Sequence, residues 1–170
     1  MIVIVMGVTG TGKTTIGTLL ASREGWHYAE GDDYHSEANK AKMHAGIPLN
    51  DEDRAPWLAT LHEVLLGWYK SGESGVLTCS ALKQSYRDLL GEDLPHNAYR
   101  FVWLKVSREV IAERLSHRAG HYMNPALLDS QLATLEPPTD ALVISAEGTP
   151  EETVGLILQG LASAKAAGGM

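Results

Sequence analysis

A glycine-rich segment near the N-terminus has the residue types and spacing to bind phosphate. Residues 7–14 read G-V-T-G-T-G-K-T and match the pattern G-x-x-x-x-G-K-S/T in full. The glycines let the backbone curl around a phosphate, so that N–H groups and a helix N-terminus point at the anion. Lys13 adds a cation for the β- and γ-phosphates, and the Thr14 hydroxyl is a ligand for Mg²⁺. The segment predicts a nucleotide site formed by Gly7, Gly10, Thr11, Gly12, Lys13, Thr14 and Thr15.

This segment alone leaves open whether the γ-phosphoryl group goes to water or to an acceptor molecule. The apolar runs at 76–79 and 101–104 do not end in the Asp of a Walker B strand, and the chain has no N-K-x-D guanine signature. These absences disfavour a motor ATPase and a guanine-specific switch. They favour a small-molecule kinase.

Acidic and polar residues follow the second predicted strand, where an acceptor would lie. Glu30, Asp32, Asp33 and His35 come directly after residues 27–29, at the same sheet edge as the phosphate-binding segment. A carboxylate there can accept the proton of an attacking hydroxyl and orient it toward the γ-phosphate, and Asp32 is our candidate for this base. The same acids also favour the N-terminus of the next helix. Glu30 and Asp33 are alternative contacts for Mg²⁺-bound water.

Three cations are candidates to bind an acidic acceptor, namely Arg54, Lys83 and Arg87. Lys83 and Arg87 are four residues apart, so on one helix they would share a face and hold a carboxylate together. The alternative is an exposed helix surface, with Arg87 paired to Asp88 or Asp51. The net charge of -7 disfavours a nucleic-acid partner, although a local cluster of cations can still attract a small anion.

The segment after the fifth predicted helix has the character of a lid over the nucleotide. Arg114 and Arg118 are placed to stabilise charge in the transition state, with Gly120 as a hinge. Basic residues at a helix C-terminus also complement the helix dipole, so this alternative stays open. By position, His35 and His121 are the histidines best suited to contact an acceptor, and no His or Cys spacing predicts a zinc site.

The elements that must position these residues alternate between strand and helix. Apolar runs predict strands at 2–6, 27–29, 76–79, 99–105 and 141–145. Helical spacing and capping residues predict helices at 13–24, two between 36 and 71, 84–90, 108–118 and 150–161. This order favours an α/β fold with a five-stranded parallel sheet and helices on both faces. We expect one domain at 1–165, a mobile lid at about 117–135 and a flexible tail at 166–170.

The composition indicates the compartment. The single cysteine, Cys79, cannot form an internal disulfide, and the apolar run at 2–6 is too short for a signal peptide or a membrane span. We therefore expect a cytoplasmic protein without a membrane partner.

Several motifs occur in the order found in the small gluconate kinases. They are M-G-V-T-G-T-G-K-T at 6–14, G-D-D-Y-H at 31–35, G-I-P-L-N-D-E-D-R-A-P-W at 46–57 and C-S-A-L-K at 79–83. The chain resembles this family over about residues 2–145. The resemblance implies a P-loop kinase of the adenylate and shikimate kinase type that uses ATP and Mg²⁺ to phosphorylate the 6-hydroxyl of D-gluconate, commonly as a homodimer.

The resemblance also implies residue roles. It places Arg114 and Arg118 near ATP, makes Lys13, Asp32 and Arg118 catalytic, and surrounds the acceptor with Asp32, His35, Arg54, Lys83, Arg87, His121 and Gln131. Glu30 departs from the family pattern, which commonly has Asp, so no direct metal role is assigned to it. The alternatives are another small-acid kinase, such as a shikimate kinase, and a regulatory module that binds ATP without an acceptor.

Overall fold

A five-stranded parallel sheet forms the centre of the protein, whose computed structural model describes residues 1–117 and 125–168. The strands are ordered β2-β3-β1-β4-β5 across the sheet, and every neighbouring pair is parallel. This confirms the predicted sheet. In chain order the strands are β1 Ile2–Met6, β2 His27–Glu30, β3 Gly75–Thr78, β4 Tyr99–Lys105 and β5 Leu142–Ser145.

Helices connect the strands and cover both faces of the sheet, as predicted. They are α1 Lys13–Glu24, α2 Glu37–His44, α3 Asp51–Lys70, α4 Gln84–Gly91, α5 Arg108–Ser116, α6 Pro125–Thr134 and α7 Pro150–Gly168, with a short 3-10 helix at Gly31–Tyr34. Among the described residues, no helix is long and apolar enough to cross a membrane.

Two helix ends differ from the predictions. Helix α5 ends at Ser116 rather than at 118, and residues 118–124 lie outside the described part of the chain. Helix α7 continues to Gly168, past the predicted end at 161 and into the predicted tail at 166–170. The alanines at 162, 164, 166 and 167 explain this extension, because alanine has the highest helix propensity.

Strand β1 shows why the sheet is buried on both faces. All five of its side chains are buried, and they alternate between two cores. Ile2, Ile4 and Met6 pack in the core that includes leucines of α3 and α4. Val3 and Val5 pack in the core that includes apolar residues of α1 and α7. The carboxyl end of β1 is therefore fixed firmly beneath the loop that follows it.

Candidate active site

The loop after β1 has the backbone conformation of a phosphate cradle. Gly7, Gly10 and Gly12 have φ values of 147°, 80° and 92°, a region that other residues rarely adopt. Helix α1 begins directly after Gly12, so its N-terminal N–H groups open toward the loop. The Lys13 ammonium group donates to the carbonyl oxygens of Gly7 and Val8, at 2.9 and 3.0 Å. The loop thus keeps a cation and several backbone donors around one concave surface.

A pocket of about 340 Å³ adjoins this loop. Arg114 of α5 forms one wall, where its guanidinium donates to the carbonyl oxygens of Ala146 at 2.6 Å and Thr11 at 3.5 Å. The size lies within the roughly 300–1,000 Å³ that is usual for small-ligand sites. The wall residues come from the loop, α1, α5 and the segment after β5, and they are Gly10, Thr11, Gly12, Thr15, Ile16, Arg114, Leu115, Ala146, Gly148 and Pro150.

A carboxylate lies directly beside the predicted Mg²⁺ ligand. The Thr14 hydroxyl donates to Glu30 Oε2 at 2.6 Å, which leaves lone pairs of the Thr14 oxygen available to a metal. Tyr28 also donates to Glu30 Oε2 at 2.6 Å, and Thr78 donates to Glu30 Oε1 at 2.9 Å. Burial and the neighbouring Glu30 raise the pKa of Tyr28, so its hydroxyl stays a donor. These oxygen atoms fit Mg²⁺, which prefers hard oxygen ligands and retained water.

Asp32 lies on the 3-10 helix that follows β2. Its side chain is 68% exposed, and its Oδ1 lies 4.0 Å from His35 Nε2. Desolvation by the surrounding residues nevertheless raises the pKa of Asp32, with smaller contributions from Glu30 and Asp33, while Lys13 acts in the opposite direction. A carboxylate with a raised pKa is a stronger base than an ordinary surface Asp.

His35 lies beside Asp32, and its side chain is buried. Its ring stacks on Trp57, with the ring centres 4.0 Å apart and the planes at 17°. Trp57 is itself fixed, because its indole N–H donates to the Gly31 carbonyl oxygen at 2.7 Å. Burial, together with the cations Arg54 and Lys40, lowers the pKa of His35 to about 4. His35 is therefore a neutral ring at physiological pH.

Two of the predicted acceptor-binding cations meet around one tyrosine. Arg54 donates to the Tyr86 hydroxyl at 3.1 Å, and Lys83 donates to Asp51 Oδ1 at 3.1 Å. Tyr86 donates to the same Asp51 oxygen, and both cations lie over its ring, at 5.4 and 5.6 Å from the centre. We call Asp51, Arg54, Lys83 and Tyr86 the cation cluster. It already holds one carboxylate, so its chemistry suits an acidic ligand.

The predicted pairing of Lys83 with Arg87 on one helix face is wrong. Lys83 has extended backbone angles and precedes α4, so only Arg87 is helical. Arg87 is 2% exposed and donates to the carbonyl oxygens of Ala81 at 2.6 Å and Glu136 at 2.8 Å. Its guanidinium therefore links the loop after β3 to the segment after α6 through hydrogen bonds. This position corrects the expectation that Arg87 contacts a substrate carboxylate.

Of the remaining predicted site residues, the structure describes Gln131, which lies on α6. Gln131 Oε1 accepts a hydrogen bond of 2.7 Å from the backbone N–H of Thr9, so its side chain contacts the phosphate-binding loop. Its expected contact with the acceptor stays a prediction. Arg118, Gly120 and His121 lie outside the described residues, and the lid stays a prediction with them.

Sequence reasoning missed several residues that support the site. Tyr28 and Thr78 hold Glu30, Asp51 and Tyr86 complete the cation cluster, and Asn39 contacts His35. The sequence did contain a signal for the contact between Tyr28 and Glu30. Tyr28 is two residues before Glu30 on the same strand, a spacing that turns both side chains to one face of the sheet.

Comparison with known proteins agrees with this geometry. Residues 9–141 match the family model described as shikimate kinase. The gluconokinase of Gluconobacter oxydans is 53% identical over 152 residues, which cover 87% of this chain and 84% of that protein. The thermosensitive gluconokinase of Escherichia coli is 47% identical over 135 residues, which cover 79% of this chain and 71% of that protein.

Solved structures show the same relationship. A gluconokinase from Sinorhizobium meliloti superposes with a TM-score of 0.85 at 44% identity, covering 95% of this chain and 91% of that one. A shikimate kinase from Bacteroides thetaiotaomicron superposes with a TM-score of 0.70 at 19% identity over 95% and 98% of the two chains, which shows a shared fold alone. The chain is a P-loop kinase and belongs to the gluconokinase family.

Proposed function

We propose that this kinase transfers the γ-phosphoryl group of ATP to the 6-hydroxyl of D-gluconate, giving 6-phosphogluconate and ADP. The observation that supports the proposal is that Asp32 has a charged neighbour on each side. The charge of Lys13 in the phosphate-binding loop acts on Asp32, and His35, 4.0 Å from Asp32, is under the influence of Arg54 of the cation cluster. Gluconate has a carboxylate at one end and a primary hydroxyl at the other. One end fits Arg54 and Lys83, and the other fits Asp32.

Asp32 acts on the attacking hydroxyl. The O–H bond breaks as the new O–P bond forms, and Asp32 Oδ accepts the proton while the bond to ADP breaks. Its raised pKa matches this role, because a more basic carboxylate takes the proton more readily. A neutral His35 beside it adds no positive charge that would weaken the base.

The phosphate-binding loop handles the transferred group. Backbone N–H groups and Lys13 stabilise the negative charge of the phosphates, and Arg114 reaches the nucleotide from the wall of the adjoining pocket. Mg²⁺, when bound beside Thr14, neutralises the β- and γ-phosphate charge. Glu30 accepts a hydrogen bond from the Thr14 hydroxyl, so the lone pairs of the Thr14 oxygen would remain available to hold Mg²⁺. As the family resemblance implies, Arg118 contacts the nucleotide, and His121 and Gln131 contact the acceptor.

The cation cluster provides selectivity for acidic sugars. Lys83 and Tyr86 both donate to Asp51 Oδ1, and the substrate carboxylate would bind the same donors. Gluconate competes for these donors and for Arg54, whereas a neutral polyol leaves them paired with Asp51. The proposal includes a cytoplasmic homodimer, as in the sequence expectation.

A substrate panel tests the function. Purified protein is mixed with MgATP and with gluconate, other sugar acids, shikimate or a nucleoside monophosphate, and ADP release is followed by a coupled assay. We expect gluconate to give the highest kcat/KM, and Lys13→Met to abolish turnover. Faster turnover with shikimate or a nucleotide would refute the gluconate assignment, and ATP binding without turnover of any acceptor would favour a regulatory module.

A further inference from the structure

Asn39 is a buried polar residue that no step of the proposed reaction uses. It lies on α2, is 6% exposed, and its backbone N–H is held by Ser36 Oγ at 3.1 Å. Its side-chain Nδ2 lies 2.8 Å from the carbonyl oxygen of Asp53. A carbonyl oxygen can only accept a hydrogen bond, so the group that faces it must be the NH₂ of Asn39. This contact determines the orientation of the amide.

The same NH₂ group also faces His35. Asn39 Nδ2 is 3.3 Å from His35 Nδ1, and its second hydrogen is available for this contact. A donor at this distance requires a lone pair on Nδ1, so the ring proton must be on Nε2. The hydrogen-bond pattern therefore selects one of the two neutral tautomers of His35.

His35 Nε2 lies on the side of the ring that faces the Asp32 carboxylate. It is 4.0 Å from Asp32 Oδ1, which is too far for a direct hydrogen bond but leaves room for a shared hydroxyl. Stacking on Trp57 holds the ring in this orientation. One substrate hydroxyl can accept from His35 Nε2–H and donate to Asp32 at the same time.

We propose that Asn39 is a positioning residue that holds His35 as the Nε2–H tautomer, so that His35 donates a hydrogen bond to a substrate hydroxyl beside Asp32. The effect on catalysis rests on the proposed function, whereas the tautomer rests on the Asn39 contacts alone. Without Asn39, the Nδ1–H tautomer would turn a lone pair toward the hydroxyl and toward the Asp32 carboxylate. The correct orientation of the hydroxyl would then be lost.

The surrounding charges favour a neutral ring. Asp32 approaches from the 3-10 helix, Lys40 from α2, and Arg54 and Asp53 from α3. The Asp53 carboxylate is already engaged by the Lys42 ammonium group at 3.0 Å, so it does not stabilise an imidazolium. Arg54 and Lys40 oppose protonation, and burial acts in the same direction. The His35 pKa of about 4 lies below the whole range from pH 5 to pH 8. His35 should therefore stay neutral across that range, with one ring nitrogen as donor and the other as acceptor.

NMR of the wild-type protein tests the tautomer without any substitution. Long-range ¹H–¹⁵N correlation of the imidazole rings distinguishes protonated from unprotonated nitrogens. We expect His35 to show a protonated Nε2 and an unprotonated Nδ1 throughout pH 5–8. An Nδ1–H tautomer, an exchanging mixture, or titration within this range would overturn the proposal. The result does not depend on which acceptor the enzyme uses, so it is separate from the proposed function.

A double-mutant cycle tests the role of Asn39 in substrate contact. A glutamine at position 35 places an NH₂ near the position of Nε2 and needs no partner to select a tautomer. Asn39→Leu should therefore lower kcat/KM for gluconate by about tenfold in the wild-type background and by less than about twofold in the His35→Gln background. An equal loss in both backgrounds would show that Asn39 only supports the fold and would overturn the proposal.

Discussion

Replacing Asp32 with Asn should separate catalysis from binding and stability. Among the described residues, the Asp32 side chain makes no direct hydrogen bond, and its Oδ1 lies 4.0 Å from His35 Nε2. The substitution keeps the shape of the side chain and removes its negative charge and its basicity. Loss of a general base lowers kcat by about 10²-fold or more. That change corresponds to about 3 kcal/mol in the activation free energy.

The Asp32→Asn variant should lose activity without losing thermal stability. The pKa of Asp32 is raised in the folded state, so the folded protein binds more protons than the unfolded chain between the two pKa values. The unfolding free energy therefore falls as pH rises through this interval, and the ionised carboxylate slightly destabilises the protein at neutral pH. Asp32→Asn removes this penalty. Its melting temperature should equal or exceed that of the wild type.

Steady-state kinetics and thermal unfolding test both expectations. The ATP KM should change little, because Asp32 is not part of the phosphate-binding loop. Wild-type kcat/KM should fall as pH drops through the raised pKa of Asp32, and the variant should lack this acidic limb. Glu37→Gln is the matched control, since it removes a carboxylate that is 94% exposed on α2 and should leave kcat unchanged. A near-wild-type kcat in Asp32→Asn would refute its role as the base.

Five further substitutions test other parts of the structure. Arg54→Ala and Lys83→Ala should each raise the gluconate KM by about tenfold through loss of a charged hydrogen bond, and an unchanged KM in both would place the substrate carboxylate elsewhere. Arg87→Met should lower the unfolding free energy measured in urea by about 2–4 kcal/mol, because the Ala81 and Glu136 carbonyl groups lose their donor. A loss below about 1 kcal/mol would contradict this expectation. Gly31→Ala should lower the melting temperature, because its Cβ would collide with the Thr78 carbonyl oxygen of β3. Gly67→Ala is the control within α3. Its Cβ meets no described atom within 4 Å, so it should stabilise the protein by about 0.5–1 kcal/mol. Equal melting temperatures for the two glycine variants would count against the close packing of the first.

Much of the fold could be predicted because its signals are local. Strand β1 is a continuous apolar run, which marks a strand buried on both faces. The phosphate-binding segment is defined by neighbouring residues, and its helix begins where the motif requires. Ser107 directly precedes α5, and its side chain accepts from the backbone N–H of Val110, a cap that the local sequence carries. Each of these features depends on residues within a few positions of one another.

The contacts that the sequence did not predict join residues that are distant in the chain. Arg87 binds Glu136, 49 residues away, and Gln131 binds Thr9, 122 residues away. Spacing within one segment carries no information about such partners. The four-residue spacing of Lys83 and Arg87 also misled, because Ala81 adopts a positive φ of 47° and the helix begins only after Lys83. The hydroxyl partners of Glu30 follow from strand register, which pairs it with Thr78 on the neighbouring strand.

The most direct test of the proposed activity is the identity of its product. Wild-type protein is incubated with gluconate and MgATP, ADP is quantified, and the product is examined by ¹H–³¹P correlation NMR. We predict one ADP for each phosphorylated gluconate, with the phosphorus coupled to the two protons of C6. Phosphate on another carbon, or ADP release that does not depend on gluconate, would contradict the account.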